Sequence, residues 1–139
     1  MKKTVIILAP FLVLSLAGCT NGKSDEAIKK EILSVESSKE KFGDYYEVGA
    51  YKVLDTAKPA DGIIEVKAEQ AVKLVKDCKT SVKSDDDTGL VFCGQEGLYE
   101  KKEFKSGKEI KINYFIVLEK KSSGDYGLRR KKVSSDIYK

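Results

Sequence analysis

Histidine is absent from the 139 residues, and that narrows the available chemistry before any motif is sought. Without imidazole there is no histidine general base, no Ser-His-Asp arrangement and no zinc site built on ring nitrogen. Catalysis would fall to Ser, Lys, Tyr, Asp or Glu, and no two carboxylates stand out as an acid/base pair of the glycosidase kind. Asp85-Asp86-Asp87 offers the oxygen ligands calcium takes. Adjacent acids on one short run rarely converge on a single ion, and the spacing of an EF-hand loop is missing, so the run reads as a solvated loop. These residues point away from an enzyme, and no metal or cofactor is expected. Two features remain that can act on a partner. One is the basic run Arg129-Arg130-Lys131-Lys132; the other is the cluster Tyr45, Tyr46 and Tyr51, since tyrosine combines apolar area with a polar tip. At least two of these tyrosines are expected in core packing.

The covalent chemistry belongs to three cysteines. Ahead of the first, Lys2 and Lys3 form a positive head, Val5 to Leu16 is an apolar run interrupted by Pro10, and the small residues Ala17 and Gly18 follow. A basic start, a short apolar middle and a small-residue cleavage site make a secretory signal. The run is too short for a spanning helix of about 20 residues. Leu16-Ala17-Gly18-Cys19 on this flank resembles the lipobox of bacterial lipoproteins. The resemblance implies that residues 1–18 are removed and that Cys19 is diacylated, with its new amino terminus acylated as well. In Gram-negative lipoproteins an Asp after the cysteine signals inner-membrane retention; Thr20 here implies the outer membrane, with the domain facing the periplasm. With Cys19 taken by lipid, Cys78 and Cys93 are an even pair in an exported chain, where oxidising conditions favour a disulfide. The alternatives are two buried free thiols or a metal pair, the latter a poor site with neither histidine nor further cysteines.

The net charge of +4 includes Lys2 and Lys3, so the excess left after cleavage is too small to argue for nucleic-acid binding. Residues 19–23 form a short lipidated tether, at most about 18 Å when extended, and residues 24–139 form one domain. Within it, residues 24–42 read as a helix. Ser24 caps it, Asp25 and Glu26 sit in the first turn, and Ile28, Ile32 and Val35 form a narrow stripe that Gly43 ends. Tyr45 to Leu54 reads as a strand whose face switches at a bulge near Gly49. Residues 58–62 read as a turn. From Ile64 to Cys78 the apolar residues are even-numbered, as in a half-buried strand, although Ala68, Ala71, Val72 and Val75 also fit a helical face. Leu90 to Cys93 reads as a short strand. Ile110 to Leu118 alternates cleanly, with Phe115 and Val117 making both faces apolar, as in a central strand. Residues 122–125 turn it back into a last strand, Tyr126 to Val133.

The expected architecture is α+β, with one amino-terminal helix packed on a curved antiparallel sheet of about four to five strands. Helix first, then long antiparallel strands closing on the hairpin INYFIVLEKKSSGDYGLRRKKV, resembles the cystatin-like and nuclear-transport-factor-two-like α+β rolls. Such rolls host binders, carriers and enzymes alike. The expected function is a membrane-anchored, non-catalytic interaction module that engages an envelope protein: an inhibitor, an immunity-type protein or a complex accessory. The alternative is a small-ligand carrier or enzyme with a pocket between helix and sheet. Strand alternation places Arg129 with Lys131 and Arg130 with Lys132, as a patch for anionic head groups, as a binding edge for an acidic partner or as a guard against edge-to-edge pairing. Changing Cys19→Ser should abolish acyl labelling and leave an uncleaved or soluble product, because the multiple acyl chains that hold a lipoprotein firmly would be lost. Ordinary labelling and membrane retention of that variant would refute the anchor.

Overall fold

The computed structural model describes residues 22–139 except 83, 84 and 86. The expectations placed on residues 1–21, the signal and the acylation of Cys19 among them, lie outside the described residues, and so does Asp86. The protein is α+β: a helical arm packs on a four-stranded antiparallel sheet, with a small two-stranded sheet beside it. Among the described residues no helix is long and apolar enough to cross a membrane.

The arm is helical from the start of the described chain but broken in the middle. Helix α1 spans Gly22–Glu31 and α2 spans Val35–Phe42. Ser24 is therefore buried inside α1 rather than capping it, and Val35 stands exposed at the start of α2. The real cap is Ser34, whose hydroxyl accepts from the Ser37 N–H at 3.1 Å, satisfying one of the free donors of the new helix start. Gly43, at φ 72°, ends α2 in the left-handed region that glycine enters freely, and a 3-10 turn leads into the sheet. The break redirects the arm, so that α1 lies over the far half of the sheet and α2 over its first strand.

Strands β1 (Tyr46–Ala60), β2 (Ile63–Leu74), β5 (Glu109–Lys120) and β6 (Tyr126–Ser135) lie in the order β1-β2-β5-β6. β3 (Cys78–Thr80) and β4 (Lys102–Phe104) pair separately. The segment from Ile64 is strand only as far as Leu74, and Cys78 opens the separate β3; the even-numbered residues of β2 face the arm, and those of β5 from Ile110 to Leu118 do the same. β1 slips register between Val48 and Tyr51, at the expected bulge. There a Cβ on Gly49 would stand 3.0 Å from the Ala71 carbonyl oxygen, so that a side chain would require the two strands to part by a few tenths of an ångström.

Two expectations are corrected. Residues 58–62 are not all turn: β1 runs on through Pro59 to Ala60, and only Asp61 and Gly62 connect the strands. β1 is an edge strand and slips register between Ala57 and Ala60, where proline costs no ladder bond. Leu90 to Cys93 is not a strand either. Tyr46 takes the place of a ladder, its hydroxyl donating to the Val91 carbonyl (2.8 Å) and accepting from the Val91 N–H (3.3 Å). The Cys78–Cys93 disulfide then fastens this loop to β3, closing 15 residues, which contributes about 3 kcal/mol in the chain-entropy account.

A buried polar circuit holds the helix break to the sheet. The Tyr114 hydroxyl donates to Gln70 Oε1 (2.7 Å) and accepts from the Leu33 N–H (3.3 Å). Gln70 Nε2 donates to the carbonyls of Leu33 (2.8 Å) and Gly49 (3.0 Å). Tyr114→Phe leaves the Leu33 N–H and one Gln70 acceptor unpaired and should destabilise the protein by about 2–3 kcal/mol in urea unfolding, against under about 0.5 kcal/mol for exposed Tyr99→Phe.

Burial pushes the phenols of Tyr46 and Tyr114 above their ordinary range, hydrogen bonds to Val91 and Leu33 offsetting part of the effect. The folded protein keeps them neutral where the unfolded chain ionises them. Their contribution is therefore complete below the ordinary tyrosine value of about 10 and is lost as pH rises beyond it. Unfolding free energy should fall more steeply above about pH 10 in the parent than in Tyr46→Phe; parallel pH profiles would refute this.

Candidate binding surface

β6 is an edge strand, and its pairing with β5 slips between Val117 and Leu118: Arg130 opposes Val117, Leu128 opposes Leu118, and Arg129 is the extra residue. This bulge changes the expected pairing of faces. Lys131 opposes Ile116 on the arm side of the sheet, its Nζ 3.5 Å from Glu31 at the end of α1. Arg129, with no opposite residue, reaches Glu119 at 4.0 Å. Arg130 and Lys132 oppose Val117 and Phe115 on the open face. The four residues therefore do not act as two alternating pairs. Lys131 ties helix to sheet and Arg129 is paired with Glu119, while Arg130 and Lys132 serve the face that the arm leaves bare.

On that face Arg130 and Lys132 border an open groove of about 650 Å³ shared with Leu54, Lys67, Phe115 and Ser134. Leu54 is the extra residue where β1 slips between Val53 and Asp55, and it stands 51% exposed. Phe115 forms the floor, with the Arg130 guanidinium 5.8 Å from its ring centre, a cation–π contact. Of the nearby acids, Glu69 pairs with Lys111 at 3.8 Å and Glu119 with Arg129, while Asp55 opposes Lys67 and Glu65 opposes Val117, next to Arg130. Among the described residues Lys67, Arg130 and Lys132 make no ion pair. The groove thus combines an apolar floor with three cations outside any ion pair, against two bordering carboxylates, Asp55 and Glu65, an arrangement that favours an anion carrying an apolar group.

The tyrosines do not join this surface. Tyr46 is buried at 4% exposure and belongs to the core. Tyr45 is half-buried beyond α2, with Lys76 Nζ 5.6 Å from its ring centre. Tyr51 opposes Gln70, on the arm side of the sheet. Burial and then the charge of Asp25 raise its phenol above the ordinary value. In the acidic run, Asp85 is committed to structure. It pairs with Lys41, and its Oδ1 accepts from the N–H groups of Asp87 (2.7 Å) and Thr88 (3.2 Å). Leu54, Lys67, Phe115 and Ser134 escaped the reading of the sequence as site residues. The available signal was the apolar pair Phe115 and Val117 on the odd-numbered face of a strand whose even-numbered face already forms the core.

No protein-family model, no curated protein and no solved structure matches the chain.

Proposed function

We propose that the chain is a membrane-anchored lipoprotein of the bacterial envelope. It works as a non-catalytic binding module that holds an acidic segment of a protein partner against the open face of its sheet. The observation that carries this is the groove in which Lys67, Arg130 and Lys132 stand unpaired around Leu54 and Phe115. The alternative, a carrier or enzyme with its site between helix and sheet, receives less support. The middle of that interface is filled by Ile28, Ile32, Val66, Ile112 and Ile116, all buried, and the opening at its β1 edge, bordered by Leu33, Tyr51 and Gln70, is small at about 270 Å³. The anchor rests on the sequence around Cys19, and the outer-membrane, periplasm-facing location rests on Thr20.

Affinity capture from the envelope with the mature protein tests the groove. Arg130→Ser with Lys132→Ser should weaken capture of an acidic partner about tenfold or more. Raised salt should act in the same direction, since exposed charges are screened beyond about 8 Å near physiological ionic strength. Arg129→Ser with Lys131→Ser should leave capture unchanged. If both double variants capture equally well and begin to self-associate, β6 carries its charges as an edge guard and the binding role fails.

A further inference from the structure

A second charged surface lies at one end of the sheet, away from the groove. The described chain begins there, with Lys23 Nζ 3.4 Å from Asp125 in the turn between β5 and β6. The turn between β1 and β2 is at the same end, tied in by the hydrogen bond from the Lys120 N–H to the Gly62 carbonyl (2.8 Å). Lysines gather on both sides of this junction. Lys58, Lys120 and Lys121 border an open groove between the two turns, with Asp61 as its carboxylate. Lys23, Lys29, Lys30 and again Lys121 border another beside α1, with Glu26 and Asp125. The six lysines thus exceed the three carboxylates, and one of those, Asp125, is already paired with Lys23.

The same end is where the tether arrives. Gly22 lies three positions beyond Cys19 in sequence, a reach of about 10 Å at most, so an acylated Cys19 would hold these lysines against the bilayer surface. The lysines are exposed and spread over two shallow grooves and two turns instead of converging on one point. Such a spread suits a plane of phosphates better than a single bound ion, and each basic side chain near an anionic surface strengthens attraction severalfold.

We infer that this lysine-rich end is a headgroup-docking surface for anionic phospholipid, which seats the domain upright on the membrane. The inference rests on the anchoring reading above. In the seated orientation β2, 12 residues long, stands away from the bilayer by about 40 Å at 3.3–3.4 Å per residue. The disulfide-fastened loop follows its far end.

The test uses the acylated protein inserted into preformed vesicles, either of phosphatidylcholine alone or with about 30 mol% phosphatidylglycerol. A water-soluble amine reagent then reports the modification rate of each lysine. Lys58, Lys120 and Lys121 should react about fivefold more slowly on the anionic vesicles, and about 0.5 M salt should remove the difference. Lys105, near β4, should react alike on both. In the variant Lys120→Glu with Lys121→Glu, Lys58 should lose its protection. Equal rates on both vesicles, with the protein retained by each, would overturn the docking and leave the anchor standing. Release of the acylated protein from both vesicles would overturn the anchor and the docking together.

Discussion

Leu33 is the residue on which the arrangement of the domain turns. A helix that breaks over a buried sheet frees a backbone N–H and a carbonyl where water cannot reach them, and each left unpaired costs about 1–3 kcal/mol. Both groups of Leu33 are taken, one by Tyr114 from β5 and the other by Gln70 from β2. Gln70 has one N–H left over and gives it to Gly49, where β1 bulges. The circuit thus joins the arm to three strands, and every side chain in it is used. Such a network stabilises only when complete, which fixes where the arm bends and hence which half of the sheet each helix covers.

This circuit was the least legible part of the fold. Ile28, Ile32 and Val35 satisfy a continuous helical stripe as well as a broken one, and Ser34 before Val35 is an ordinary polar residue until its neighbours are known. The partners that make a break tolerable are remote, Gln70 by 37 residues and Tyr114 by 81. The strands were legible because their signal is local. Even-numbered burial in β2 and β5 is a period of two written in consecutive residues, and Gly49 marked its bulge. Leu90 and Val91 carried the composition of a strand, but their polar backbone groups are satisfied by Thr88, Asp85 and Tyr46. No local pattern announces that arrangement.

The basic run illustrates how one irregularity reassigns a site. With regular alternation Arg129 would share a face with Lys131. The bulge inserts one residue, and Arg129 turns to Glu119 while Lys131 stays with Glu31 under α1. Bulges and charges are also the devices by which exposed edges avoid pairing with other chains. Edge protection and partner binding are therefore compatible uses of β6: the twist that spoils the edge for a foreign strand also sets Arg130 and Lys132 beside Phe115.

The two cationic surfaces differ in chemistry and, in the proposed seating, in distance from the membrane. Lysine supplies the cations of the end where the described chain begins, compact hydrated charges suited to a layer of phosphates. The groove adds Arg130, whose planar guanidinium stacks on Phe115 and can still bind a carboxylate with two hydrogen bonds. Phe115 opposes Lys67, four residues along β2 from Ile63 at the turn, a separation of about 13 Å. An anionic headgroup layer under the turns is screened within about 8–10 Å at physiological ionic strength. In the proposed seating an acidic segment at Phe115 and Lys132 therefore meets a weakened negative potential, whereas Arg130, opposite Val117 and two residues from the turn, lies nearer to it. A domain seated in this way would hold an acidic partner against Phe115 and Lys132 with less repulsion from the membrane than at the turns themselves.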